Sequence, residues 1–311
     1  MVIEVVPAPP QEAERQRQEA APRAPRTGPP APGLVSVLLA LVMVLSVAAL
    51  FFGTFLYGLS GLQEQRSQHQ LYSAMRGLLS PSSPVAPWIG GDIPSGSPVA
   101  LLTSPQAGLH DAVIVEGTSS GTLLAGPGHL PNTPLPGQAG AAVVLGKSAT
   151  AGAPFGELAR LQPGDVITVR TGQGRFRYIV RGRLVSGGRL PSVPSTSGFL
   201  LLGTSGGTAA PGGFTPSHVV YTYARLQGHA APTPHGRPRT VPRQDRPGQG
   251  DPGARPFVAL WLGLLLAGSA ACWWLWSYWG LLRTWLVGAP VLFAVLWALS
   301  DEAIRLFPNV Y

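Results

Sequence analysis

The sequence predicts an all-β domain, a barrel or a sandwich, carried on three transmembrane α-helices. Three observations lead there. Between about residues 82 and 228, short apolar runs ("VALLT", "DAVIVEG", "AAVVLG", "DVITVR", "FRYIVRGRLV", "FLLLGTS", "HVVYTYARL") alternate with turns rich in Gly, Pro, Asn and Asp, as in antiparallel β-domains. Outside that region lie long uncharged stretches, Gly33 to Leu62 and most of Phe257 to Ser300. Gly (40) and Pro (33) are abundant and charged residues make up only 12%, so strands, loops and linkers should outnumber soluble helices.

Each segment follows in order. Residues 1–33, rich in Pro, Ala, Gln, Glu and Arg without apolar periodicity, are expected to be a disordered tail. Residues 34–59 are long enough to cross about 30 Å of hydrocarbon at about 1.5 Å per residue, and the run exceeds a signal-peptide core, so a retained anchor is expected. Residues 60–81 form a membrane-proximal connector, and residues 229–256, "HAAPTPHGRPRTVPRQDRPGQGDPGARP", an extended Pro/Gly/Arg-rich linker. The last apolar block suits a hairpin of two spans, 257–278 and 284–300, with Arg283 at its turn, "CWWLWSYW" as an interfacial belt and 301–311 as a short tail. Arg23, Arg26 and Arg283 then place the N-terminus in the cytoplasm and the β-domain outside, with the lipid bilayer as first partner.

Composition excludes several functions. The net charge of +8 and pI near 10.4 come from scattered arginines, and Lys147 is the only lysine. No helix-turn-helix, zinc or RNA-binding pattern accompanies them, so no nucleic-acid partner is expected. Cys272 is the single cysteine and lies in an apolar run, which rules out an intrachain disulfide. No His/Cys cluster has metal-ligand spacing, so neither metal nor cofactor is expected.

Within the β-domain, "GDVITVRTGQGRFRYIVRGRLV" reads as a hairpin about a tight turn. Strict alternation places Phe176, Tyr178, Val180 and Leu184 on one face and Arg175, Arg177, Arg181 and Arg183 on the other. Those arginines form either a solvated outer face or a stripe for an anionic polymer or lipid head groups. "PFGELARLQPGD" reads as a short helix ended by Pro163-Gly164.

The stretch "VEGTSSGTLLAGPGHLPNTPLPGQAGAAVVLGKSATAGAPFGELARLQPGDVITVRTGQGRFRYIV" resembles the sortases, most of all the actinobacterial class E type. The order Gly126 to His129, Pro136 to Gln138, Gly146, Pro154-Phe155 and Leu161 to Asp165 matches that family's motifs, as does the "RLFPNVY" ending. The resemblance implies a sortase-like β-barrel on the outer face of a bacterial plasma membrane. It also implies transpeptidation by a cysteine nucleophile, a histidine acid/base and an oxyanion-steadying arginine. In this chain Lys147 stands at the histidine position, Thr204-Ser205 at the Thr-Cys position, and Ser217-His218-Val219 contains no arginine. His129 matches a loop of the family rather than its base.

A serine hydroxyl attacks an amide only when a base takes its proton, so the resemblance implies a non-catalytic barrel that binds a peptide, an anionic wall polymer or another membrane protein. A Ser205/Lys147 dyad acting as hydrolase or transpeptidase stays open, because a desolvated lysine is a competent base. A structural subunit, valued for its membrane helices, is the third reading. Candidate binding residues are His129, Thr204, Arg175, Arg177, Arg181 and Arg183.

Overall fold

The structure is a computed structural model that describes residues 33–185, 187, 196–206 and 218–311. Residues 1–32, most of the expected cytoplasmic tail, and Ser217 lie outside the described residues. Residues 33–42 hold only the start of the first helix, and Met43–Tyr311 form the compact unit that contains every feature below.

Eight strands close a barrel, and the predicted fold class holds for it: β1 (Pro98–Ser104), β2 (Leu109–Glu116), β3 (Gly128–His129), β4 (Gly140–Leu145), β5 (Val166–Thr171), β6 (Gly174–Val185), β7 (Gly198–Gly206) and β8 (His218–Gln227). Their order around the barrel is β1-β2-β3-β4-β7-β8-β6-β5, with β5 returning to β1. The β2/β3 and β4/β7 pairs are parallel and the others antiparallel. Alternating side chains supply the core, with Leu102, Ile114, Val144, Ile167, Val169, Tyr178, Leu200, Leu202 and Ala224 all buried inside. The ring closes through β3, which covers only Val115–Glu116 of β2 and Val144–Leu145 of β4. The two-residue β3 sits inside "GPGH", too short for any periodic signal.

Three helices are long and apolar enough to cross a membrane: the one beginning at Leu34, the one ending at Trp279, and Leu281–Arg305. The fold as a whole is therefore not purely β. The first is longer than expected. α1 (Leu34–Thr54) runs through a π-helical turn at Phe55–Leu59 into α2 (Ser60–Leu78), where a connector was anticipated. The cause is legible afterwards. Leu71, Tyr72, Met75, Leu78 and Leu79 recur at helical spacing and pack on the outward residues Leu101 and Val113 of the barrel. Gln68 secures the same face, accepting from the Val113 amide at 2.8 Å and donating to the Ala125 carbonyl at 2.7 Å.

α3 (Arg255–Trp279) and α4 (Leu281–Arg305) form the expected hairpin, but its turn is the single residue Gly280, with φ +79°. That left-handed conformation suits glycine, and it moves Arg283 into the first turn of α4. A side chain at Gly288 would collide with the Cys272 sulfur, so the two helices approach closely there. Phe55, Leu56, Leu124, Ala151 and Ile304 join the barrel-side helix ends to the barrel.

Two segments differ from expectation: the extended linker and the short helix before β5. The stretch after β8 is fastened by the Ala231 amide to the Gly137 carbonyl (2.8 Å), by Arg237 to Glu116 (2.7 Å) and by Asp245 to the Thr118 amide (2.7 Å). It lies along the barrel rather than spanning a gap. The "PFGELARLQPGD" helix reduces to one 3₁₀ turn, Leu158–Arg160.

Candidate functional site

The cleft of the barrel lies where the loop after β4 meets β7 and β8. It encloses about 500 Å³ and is lined by Ser148, Phe155, Arg183, Thr204, Ser205 and Thr222, with Tyr311 as one wall. Parallel pairing of β4 with β7 sets Leu145 against Gly203 and so brings the two strand exits together. Gly146 follows, with the Phe155 ring 2.5 Å from where a Cβ would be, so any side chain there would expel the ring that floors the loop.

From that loop the side chains diverge. Ser148 Oγ is hydrogen-bonded to Ser205 Oγ, and Thr204 Oγ1 donates to the Gly146 carbonyl at 3.2 Å. Lys147 points the other way. It is fully buried, and its Nζ donates to Ser120 Oγ at 3.5 Å; that hydroxyl donates to the Ile304 carbonyl, near the end of α4, at 3.2 Å. Desolvation by burial pulls the Lys147 amine down to about 8 from its ordinary 10.5. Lys147 is thus not a solvated residue at the rim of the cleft. Its hydrogen bond runs to Ser120 and not to Ser205, which is hydrogen-bonded to Ser148.

The chain's last residues enter the same place. The Val310 carbonyl accepts from both the amide and the hydroxyl of Ser148, each at 3.3 Å, and Thr150 Oγ1 donates to the Tyr311 carbonyl at 2.6 Å. Asn309, fully buried, donates to the Thr118 (2.6 Å) and Arg246 (3.0 Å) carbonyls and accepts from the Gly248 amide at 2.8 Å. Sequence reasoning treated these residues as a short tail. The "RLFPNVY" ending carries a resemblance to the family but no sign of its partners.

Alternation fails at one functional position. β6 and β8 shift register between Val180 and Gly182, so that Arg183 pairs with Thr222, whose side chain points inward. The extra residue turns Arg183 away from the face of Arg175, Arg177 and Arg181 and into the cleft, as a β-bulge does. There its guanidinium donates to the Ala159 carbonyl and to the Leu161 carbonyl, the latter at 3.1 Å. Leu184 correspondingly leaves the core face and is half-buried.

His129 does not reach the cleft surface. It is fully buried, with Nδ1 2.9 Å from Glu116 Oε2 and Nε2 2.9 Å from the Pro134 carbonyl, and Arg237 completes the cluster on Glu116 Oε1 at 2.7 Å. These contacts fasten the loop after β3 and the post-barrel segment together. Of the residues about the arginine position, His218 pairs in register with Gly206 at the far end of β7, and Val219 is buried.

Residues 102–197, from β1 to the approach to β7, match the family model described as Sortase domain. That stretch is similar to a sortase domain. Solved structures with a similar fold include the Clostridium perfringens Sortase D5 transpeptidase (19% identity, 52% of this chain and 99% of that one, TM-score 0.42). The SrtA sortase from Actinomyces oris (25%, 52% and 97%, TM-score 0.39) and Sortase E1 from Streptomyces coelicolor with a tripeptide in the active site (23%, 43% and 91%, TM-score 0.34) are also similar. Comparison with curated proteins gives no match. In this barrel the cleft holds hydroxyls and a guanidinium, and the chain's one thiol, Cys272, lies on α3. Among the described residues no group of three or more His, Cys, Asp or Glu could hold a metal ion.

Proposed function

We propose that this protein is a multi-pass plasma-membrane component of a bacterial cell envelope, of actinobacterial type, with its N-terminus in the cytoplasm and its sortase domain outside. Its cleft binds an extended peptide or a segment of a partner protein without cleaving it. One observation carries this reading: Ser205, the hydroxyl at the cysteine position, is hydrogen-bonded to another hydroxyl, Ser148, while Lys147 is enclosed and committed to Ser120. Among the described residues that line the cleft there is no His, Lys, Asp or Glu to take the Ser205 proton, and a thiol route through Cys272 would require chemistry on a membrane helix. Arg183 enters the cleft with its Nη2 donating to two backbone carbonyls, while its Nε–H and Nη1–H groups lie outside those bonds. Binding remains well supported. The amide of Ser148 pairs with a main-chain carbonyl of the chain's own Val310, the kind of contact by which an extended peptide is recognised.

The test is incubation of the full chain in detergent with peptides ending in a Thr-Gly sorting-type sequence, following both binding and cleavage by mass spectrometry. Saturable retention of intact peptide fits the proposal; turnover contradicts it.

A second reading is favoured by the depressed Lys147 amine, which would be partly neutral near pH 7 to 8. A Ser-Lys enzyme would need Lys147 to leave Ser120 and reach Ser205 when substrate enters, which separates it experimentally from the binding reading.

A further inference from the structure

The outer face of β5, β6 and β8 gathers five exposed arginines, Arg170, Arg175, Arg177, Arg181 and Arg225, on strands that contain no Asp or Glu. Arg170 stands directly opposite Arg175 in the β5/β6 ladder, Arg177 faces Thr168 on one side and Gln227 on the other, and Arg225 opposes Ile179. None belongs to any of the four ion pairs among the described residues. Like charges directly across a sheet oppose folding, so the Arg170/Arg175 pair is not there for stability. Beside it a cavity of about 620 Å³ opens between α2 and β1/β5, lined by Arg76, Arg170, Tyr72, Ser73 and Ser80 among others.

We propose that this face and its flanking cavity form a binding surface for a phosphate-bearing polymer, independent of the cleft. Guanidinium forks match phosphate oxygens two at a time, and a surface built from Arg alone is the form such recognition takes. From Arg175 to Arg181 the strand runs about 20 Å at about 3.3 Å per residue, too long for one small anion and suited to successive phosphates on a flexible chain. Arg76 lies about 25 Å beyond Leu59 along the helix axis at about 1.5 Å per residue, which holds the cavity away from lipid head groups at the end of the apolar segment. Tyr72 in the cavity and Tyr223, two residues from Arg225 on β8, are both half-buried, which disfavours the stacking of bases from single-stranded nucleic acid.

The test uses the full chain in nanodiscs of zwitterionic lipid, titrated with poly(glycerol phosphate) at about 50 to 200 mM salt. Wild type is expected to bind, with affinity falling steeply as salt rises. R170S/R175S is expected to lose about tenfold or more and to show a shallower salt slope, whereas R239S/R243S, which removes the same charge from exposed sites elsewhere, should change affinity less than about twofold. R175E, which places opposite charges across the ladder and so preserves the fold, should also lose binding. No binding by wild type overturns the proposal, as does equal loss in both double variants. So does tighter binding of single-stranded DNA, or binding confined to phosphatidylglycerol vesicles.

Discussion

Lys147 Nζ lies 3.5 Å from Ser120 Oγ, and that hydroxyl donates to the Ile304 carbonyl, so the only lysine of the chain is tied to the end of the last helix rather than to the cleft. A helix C-terminus carries partial negative charge, which partly offsets the cost of burying the ammonium. The remaining cost is visible in the amine's depressed affinity for protons.

That depression predicts a pH dependence of stability. The folded-state value, about 8, lies below the ordinary 10.5, so between those pH values the unfolded chain binds more protons and stability rises with pH. Below about pH 8 the whole penalty is present, up to about 3 kcal/mol at about 1.4 kcal/mol per unit. Lys147→Met should therefore raise the thermal midpoint in detergent at pH 7 and flatten the rise between pH 8 and 10. A lower midpoint for the methionine variant would show that the ammonium is a net stabiliser.

Asn309 predicts the opposite sign. Replacing it with Ala strands the Thr118 and Arg246 carbonyls and the Gly248 amide in a buried site. Unsatisfied buried groups cost about 1–3 kcal/mol each, so Asn309→Ala should destabilise by at least about 2 kcal/mol. Amide exchange in residues 147–151 should accelerate with it, because Ser148 and Thr150 lose their anchor on Val310 and Tyr311.

The Glu116–Arg237 pair is almost wholly buried, at 2% and 9% side-chain exposure. Arg237→Ala leaves a buried carboxylate with His129 as its remaining neighbour, and an orphaned charge of that kind costs about 3–5 kcal/mol. Glu116→Gln/Arg237→Met should be milder than Arg237→Ala alone, measured by equilibrium unfolding.

Arg181 and Arg183 are two residues apart and should behave differently. Arg181→Ala, on the solvated face, should shift stability by no more than about 0.5 kcal/mol. Arg183→Ala frees the Ala159 and Leu161 carbonyls at the cleft mouth and should alter retention of cleft-bound peptide. Equal effects on peptide retention would contradict the bulge-directed placement of Arg183.

The barrel was legible because its strands carry two-residue alternation locally, from Val99 to Leu226. What escaped depends on partners far away in the chain. Nothing near Lys147 announces that Ser120 and Ile304 will enclose it, and nothing in "FPNVY" announces docking on Ser148 and Thr118. The bulge at Arg181 is invisible to alternation, yet it decides which arginine enters the cleft. The helical continuation through Leu78 was readable in the spacing of Leu71, Met75 and Leu79, but a polar composition masked it.

Intact-mass analysis of the full chain after treatment with a fluorophosphonate, beside Ser205→Ala, tests whether the proposed binding cleft lacks a working nucleophile. An unmodified mass is expected for both proteins. A stoichiometric adduct on the wild type that disappears in Ser205→Ala would contradict the proposal.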